Sequence, residues 1–218
     1  MEKKLDILLG IYITSLVASE LLGSKLITLL GANISVGIIA FPVTFLINDV
    51  VTEIAGKKRA RHFVRTGLYM LILLFAFVWI ARLLPAAPFY KNSDAYNSVF
   101  GNSMRIIVAS LSAFVLSELL DIAIFSKIRE KLKKYFWLRS NASNILSQFI
   151  DTTVFTFIAF YLVQPHYDVA KMFALILPYW GLKILFSFIQ TPLAYVGVWW
   201  LKRSRDDSKD LQTPATGA

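Results

Sequence analysis

An all-α integral membrane protein with six transmembrane helices is the fold class this sequence predicts, and three observations predict it. Hydrophobic residues make up 56% of the 218 residues against 17% charged, and mean hydropathy is +0.59, too apolar a surface for a soluble domain of this size. Apolar windows long enough to cross a bilayer of roughly 30 Å occur at about 5–24, 28–49, 64–84, 103–125, 141–163 and 173–200. Most of the 23 Lys and Arg residues fall in four blocks, at the N-terminus, Lys57–Arg65, Lys127–Arg139 and after Leu201, separated by stretches nearly free of basic residues. That alternation is the positive-inside pattern and predicts that both termini are cytoplasmic.

The first window follows Lys3 and Lys4 as a signal peptide would, but Glu20 interrupts the cleavage region and more spans follow, so an uncleaved first helix is expected. The second ends in FPVTFLINDVVTEIAGKKRAR, where Asp49 and Glu53, four apart, project from one helix face just before a basic run. The third carries no polar stripe and reads as a lipid-facing or packing helix. The loop 85–102, rich in Pro, Asn, Ser and Tyr, and the turn 164–171 are expected outside. The sixth window is long and contains Pro178 and Pro192, which predict tilt or a kink. Residues 1–203 thus form one membrane domain, with 204–218 a disordered cytoplasmic tail. Ser19-Glu20-Leu21-Leu22 recurs as Ser117-Glu118-Leu119-Leu120 in the fourth window, a short echo of the kind two inverted three-helix halves would leave.

Polar residues inside these windows line up. Ser140, Asn144, Ser147 and Asp151 share one narrow face of the fifth, widened by Gln148 and Thr152. Ser110, Ser117 and Asp121 share a face of the fourth, with Glu118 at its margin. Tyr179, Lys183, Ser187 and Gln190 do so in the sixth, and Pro42, Asp49 and Glu53 in the second, with Asn48 to one side; the first adds Glu20 and Ser24. Five helices can satisfy such faces only by turning them toward one another, which predicts a polar interior able to hold a ligand. Hydroxyls and amides could serve merely as interhelical glue. The carboxylates Asp49, Glu53, Glu118, Asp121 and Asp151 outnumber Lys183 and Arg105, so charge pairing alone does not account for them. Asp151 and Lys183 lie deepest.

Several function classes are excluded. The positive charge, formally +9, is accounted for by topology, so no nucleic-acid partner is expected. The chain has no cysteine, and His62 and His166 fall in a basic run and a short loop, so neither a metal site nor a cysteine nucleophile is expected. No G-x-S-x-G, H-E-x-x-H or phosphate-binding glycine loop is present, which points away from an enzyme or a self-contained ATPase; no cofactor is expected.

A set of segments in order carries a resemblance: Phe41-Pro42 with Asn48-Asp49 and the KKRAR run; Arg105; Leu120-Asp121-Ile122-Ala123-Ile124-Phe125; Trp137-Leu138-Arg139-Ser140-Asn141 leading to Asp151-Thr152-Thr153-Val154-Phe155; and Lys183. Over residues 5–203 this resembles the queuosine precursor transporter family, also called the vitamin uptake transporter family. The resemblance implies six transmembrane helices in a bacterial or archaeal inner membrane and uptake of 7-cyano- or 7-aminomethyl-7-deazaguanine. It implies a family pattern falling on Asp49, Arg105, Asp121, Asp151 and Lys183, with Glu53 and Glu118 variable. For such a ligand, Asp121 or Asp151 is the candidate for the guanine-like N–H/amino edge, and Asn144 or Gln148 for the carbonyl and ring nitrogens. Lys183 and Arg105 would then be counter-ions. Tyr179, Phe45, Phe155 and Phe186 are candidates for stacking, and Ser24, Asn48, Glu53, Glu118 and Gln190 form a secondary set. The cavity is expected between the second, fourth, fifth and sixth helices. Alternatives are a substrate-binding membrane subunit needing a separate ATPase module and, more remotely, an intramembrane lipid-modifying enzyme. Proton coupling through Asp121 or Asp151, facilitated diffusion and a homodimer all stay open; membrane lipid is the expected surrounding partner.

Overall fold

A computed structural model describes residues 1–23, 25–29, 32–101, 104–161 and 168–210. Seven helices follow in order: α1 (Glu2–Leu22), α2 (Phe41–Ala55), α3 (Lys57–Leu83), the short α4 (Ser93–Phe100), α5 (Met104–Lys131), α6 (Phe136–Phe160) and α7 (Val169–Asp210). Between α1 and α2 lie two antiparallel strands, β1 (Leu26–Leu29) and β2 (Ala32–Ser35), and a 3-10 turn, Val36–Ile39. Five described segments are long and apolar enough to cross a membrane: Glu2–Leu22, Val36–Ala55, Lys57–Leu83, Ile106–Lys131 and Val169–Arg203. The chain is a multi-pass, all-α membrane protein in class.

The second window departs from expectation. Thr28 and Leu29 belong to β1 and Ala32–Ser35 to β2, with Ile27 opposite Ile34 and Thr28 opposite Asn33. An apolar run does not by itself separate strand from helix; here the β-branched Ile27, Thr28 and Ile34 carry the strand signal. The 15 residues of α2 reach only about 22 Å, and the 3-10 turn before it adds the missing length. Ile34 and Ile38 pack on Leu182 of α7, with Tyr179 and Phe186 beside them, so the hairpin covers the stretch of α7 that carries Lys183.

Elsewhere the helices outrun their windows. α3 and α5 extend through the basic runs, because Lys and Arg are good helix formers and end an apolar segment without ending the helix. α7 stays continuous through Pro178 and Pro192. It runs to Asp210. Residues 211–218 and 164–167 lie outside the described ones.

Gly56, at φ +81°, ends α2 and turns the chain into α3. Gly67 lets α3 close on α1: a Cβ there would lie 2.6 Å from Leu16 Cδ1 and 2.9 Å from Tyr12 Cε1. The main core gathers Leu5, Tyr12 and Leu16 of α1, Val50 and Val51 of α2, Phe63 and Leu71 of α3, Phe114, Ile122 and Phe125 of α5, and Leu201 of α7. As expected, the outer part of α3 is apolar and exposed, through Tyr69, Ile72, Leu73, Phe77, Trp79 and Leu83.

The helix ends meet at one basic end of the bundle. Lys4 Nζ donates to the Trp200 carbonyl at 2.8 Å and lies over the Trp200 ring. Arg59 pairs with Glu2 at 2.9 Å, which brings the starts of α1 and α3 and the end of the apolar part of α7 together.

Candidate functional site

The polar stripes face inward. Ser140, Asn144, Ser147, Gln148, Asp151 and Thr152 of α6 are all buried, as are Ser117, Glu118 and Asp121 of α5, Thr44, Asn48 and Asp49 of α2, and Lys183 and Ser187 of α7. These four helices pack as α2 on α5, α5 on α6, α6 on α7 and α7 on α2. The polarity of its inner face leaves α6, at 25 residues, out of the apolar spans although its ~37 Å would cross a bilayer.

Rungs of hydrogen bonds climb this interior from the basic end. The first rung is ionic. Glu53 Oε2 accepts from Arg139 Nη2 at 2.7 Å and pairs with Arg129 Nε at 3.4 Å. Arg139, 1% exposed, also donates through Nη1 to the Leu132 and Lys133 carbonyls at 2.8 and 2.6 Å and stacks over Phe125 and Phe136. One turn deeper, Asp49 Oδ2 accepts from Ser140 and, at 3.2 Å, from Asn144 Nδ2. Asn144 Nδ2 also reaches Ser187 Oγ at 3.1 Å. Asp121 Oδ1 accepts from Ser147 at 3.0 Å, and the Asp121 carboxyl adjoins that of Asp49. Glu118 takes the hydroxyl of Thr44 at 2.9 Å and the amide of Asn48.

The deepest rung is the ion pair of Asp151 Oδ2 with Lys183 Nζ at 2.6 Å. Ser117 Oγ reaches Asp151 Oδ1 at 3.3 Å, and the ammonium lies 4.8 Å from the Tyr179 ring centroid and 5.1 Å from that of Phe41, a partial aromatic cage. Toward the other end, Ser110 donates to Glu20. Glu20 and Glu118, the acids of the repeated Ser-Glu-Leu-Leu, thus take different partners.

The sequence-derived candidates divide cleanly. Asp49, Asp121, Asn144, Gln148, Asp151 and Lys183 converge in the interior, with Asn48 and Glu118 from the secondary set. Tyr179 and Gln190 are half-buried. Glu53 pairs with Arg129 and Arg139, not with Lys57, because α3 turns away at Gly56 while the α5–α6 connection brings both arginines to the end of α2. Arg105 lies in the first turn of α5, but its side chain, like the whole of Ser24, lies outside the described residues. Thr44 and Arg139 escaped notice as interior partners. Thr44 precedes Asn48 by four on the same face and could have been found from that spacing; Arg139 looked like one more residue of a basic block.

Several buried acceptors remain unspent. Asn48 Oδ1, Asn144 Oδ1, Gln148 Oε1, Asp49 Oδ1 and Asp121 Oδ2 have no donor among the described residues. Unpaired buried acceptors are costly. Among the described residues no His, Cys, Asp and Glu grouping suited to a metal ion occurs.

Comparison with known proteins adds an independent line. The profile of the family described as "Putative vitamin uptake transporter" matches residues 35–197. The chain is 30% identical over 173 residues to the "Probable queuosine precursor transporter" of Bacillus subtilis (strain 168), covering 78% of this chain and 74% of that protein. It is 27% identical over 167 residues to the "Queuosine precursor transporter" of Escherichia coli (strain K12), 75% of this chain and 72% of that one. A Haemophilus influenzae protein called "Probable queuosine precursor transporter" is 26% identical over 125 residues, 57% of this chain and 51% of its own length. No solved structure matches the chain significantly. The family match covers α2 through most of α7, the helices that build the polar interior, and the chain belongs to the vitamin uptake transporter family, whose matched relatives are queuosine precursor transporters rather than enzymes.

Proposed function

We propose that this protein imports queuosine precursors, 7-cyano- and 7-aminomethyl-7-deazaguanine, across a bacterial or archaeal inner membrane. In this reading α6 is a sixth span, the basic end faces the cytoplasm with both termini, and the ligand binds between α2, α5, α6 and α7. The observation that carries it is the set of buried acceptors without donors beside the Asp151–Lys183 pair. A deazaguanine offers its ring N–H groups and exocyclic amine, which match carboxylate and amide oxygens. The 7-aminomethyl group is a cation, and the interior holds five carboxylates, Glu20, Asp49, Glu118, Asp121 and Asp151, with Lys183 the one described cation that reaches them. Lys183 orients Asp151; Tyr179 and Phe41 form an aromatic wall for the flat bicycle.

Rescue of tRNA queuosine tests this directly. The chain is expressed in a host lacking both its own importer and precursor synthesis, and each deazapurine is supplied separately. Restored queuosine with either compound is expected. No rescue by either, with the protein present in the membrane, overturns the substrate assignment. Uptake into liposomes by the purified chain alone is also expected, which a subunit dependent on a separate ATPase would fail to show.

A further inference from the structure

The face of α3 nearest the basic end borders a groove that the transport reading leaves unused. It encloses about 390 Å³ and is lined by Lys58, Arg61, His62, Val64, Arg65 and Leu68 of α3 and by Val115 and Leu119 of α5. The spacing of 58, 61, 62 and 65 puts all four polar groups on one side of the helix. Among the described residues no carboxylate lines the groove. Among the described residues Lys58, Arg61 and Arg65 have no ion-pair partner, whereas Arg59, on another face, is paired with Glu2. The opposite wall is aliphatic, and beyond it α3 continues as an exposed apolar helix through Tyr69, Ile72 and Leu73.

We propose that this groove binds an anionic phospholipid of the leaflet at the basic end. Lys58, Arg61 and Arg65 hold the headgroup phosphate, and an acyl chain lies along Leu68, Val115 and Leu119. Charge complementarity selects the headgroup. Three unpaired cations at a membrane surface attract anionic lipid strongly, and the guanidinium forks of Arg61 and Arg65 can each chelate a phosphate. The apolar wall selects a lipid over a free anion, because a soluble phosphate has nothing to bury against Val115 and Leu119.

The test is native mass spectrometry of the full chain, purified in detergent and titrated with phosphatidylglycerol, phosphatidylcholine or inorganic phosphate. The wild type is expected to retain phosphatidylglycerol in preference to phosphatidylcholine, and inorganic phosphate is expected not to displace it. The triple variant K58Q/R61Q/R65Q is expected to lose about a hundred-fold in phosphatidylglycerol retention. L119W, which fills the aliphatic side while leaving every charge, is expected to weaken retention as well. All four residues are surface or groove positions outside the transport interior, so uptake of deazapurine reports separately on folding and on the transport reading. Equal retention of phosphatidylglycerol by the triple variant and the wild type overturns the proposal. So does displacement by inorganic phosphate with no effect of L119W, which would make the groove a simple anion site.

Discussion

The two ends of the polar interior solve the same electrostatic problem in opposite ways. At the basic end one carboxylate, Glu53, is shared by two arginines, and Arg139 adds two backbone carbonyls and two aromatic faces. Deeper in, the ratio reverses: Asp49, Glu118 and Asp121 are held by hydroxyls and amides, and among the described residues only Asp151 has a cation. A carboxylate clamped by two arginines fastens an end of the bundle. Of those held by Ser, Thr or Asn, Asp49 and Asp121 each keep one oxygen with no donor among the described residues. The difference separates a structural lock from an interior able to exchange its partners for those of a ligand.

The largest expected effect is at the Asp151–Lys183 pair. Asp151→Asn removes the partner of a buried ammonium, and breaking a buried pair by one member costs about 3–5 kcal/mol. A large drop in thermal stability in detergent is expected, together with loss of uptake. The double variant D151N/K183M removes both charges and is expected to recover much of the stability while uptake stays absent. If the double variant is as unstable as the single, Asp151 is stabilising through Ser117 and packing rather than through Lys183.

The carboxylates without cations should respond differently, and in both directions. Glu118→Ala strands the Asn48 amide and leaves the Thr44 hydroxyl only the Phe41 carbonyl, at 2.7 Å, for an expected loss of about 1–2 kcal/mol; Glu118→Gln keeps an acceptor for the amide and is expected to lose less. Asp121→Asn places an N–H donor beside Asp49 Oδ1, which now has none, and is expected to leave stability unchanged or raise it. Denaturation midpoints of the three variants check this ordering. A loss at Asp121→Asn as large as that at Asp151→Asn would erase the contrast between the two parts of the interior.

How much of this contrast was legible in the sequence depends on the length scale of each signal. Ser140, Asn144, Ser147 and Asp151 announce a buried polar face because an apolar helix has no other use for such a spacing. The same logic placed Asp49, Asp121 and Lys183 inside. The hairpin at 26–35 was hidden because its alternation is drowned in continuous apolarity, and strand pairing is a contact between segments rather than a local period. The Glu53 lock was hidden for a similar reason: Arg129 and Arg139 lie far along the chain from it, and only the packing of α2 against the α5–α6 connection reveals them.

A last comparison lies inside that lock, and it tests what the lock is made of. Arg129 is 40% exposed and lies 3.4 Å from Glu53, while Arg139 is 1% exposed at 2.7 Å. An exposed ion pair contributes at most about 0.2–1 kcal/mol, and part of what Arg129 does is donate to the Thr52 carbonyl at 2.8 Å. Arg129→Gln is therefore expected to shift stability by less than about 1 kcal/mol. Glu53→Gln takes the charged acceptor from a guanidinium that cannot reach water, at an expected ~2 kcal/mol. Thermal shifts of the two variants in one detergent give the comparison. If Arg129→Gln proves the costlier, the end of α2 is fastened by the Arg129–Thr52 contact, and the buried arginine serves to shape the α5–α6 turn through its carbonyls instead.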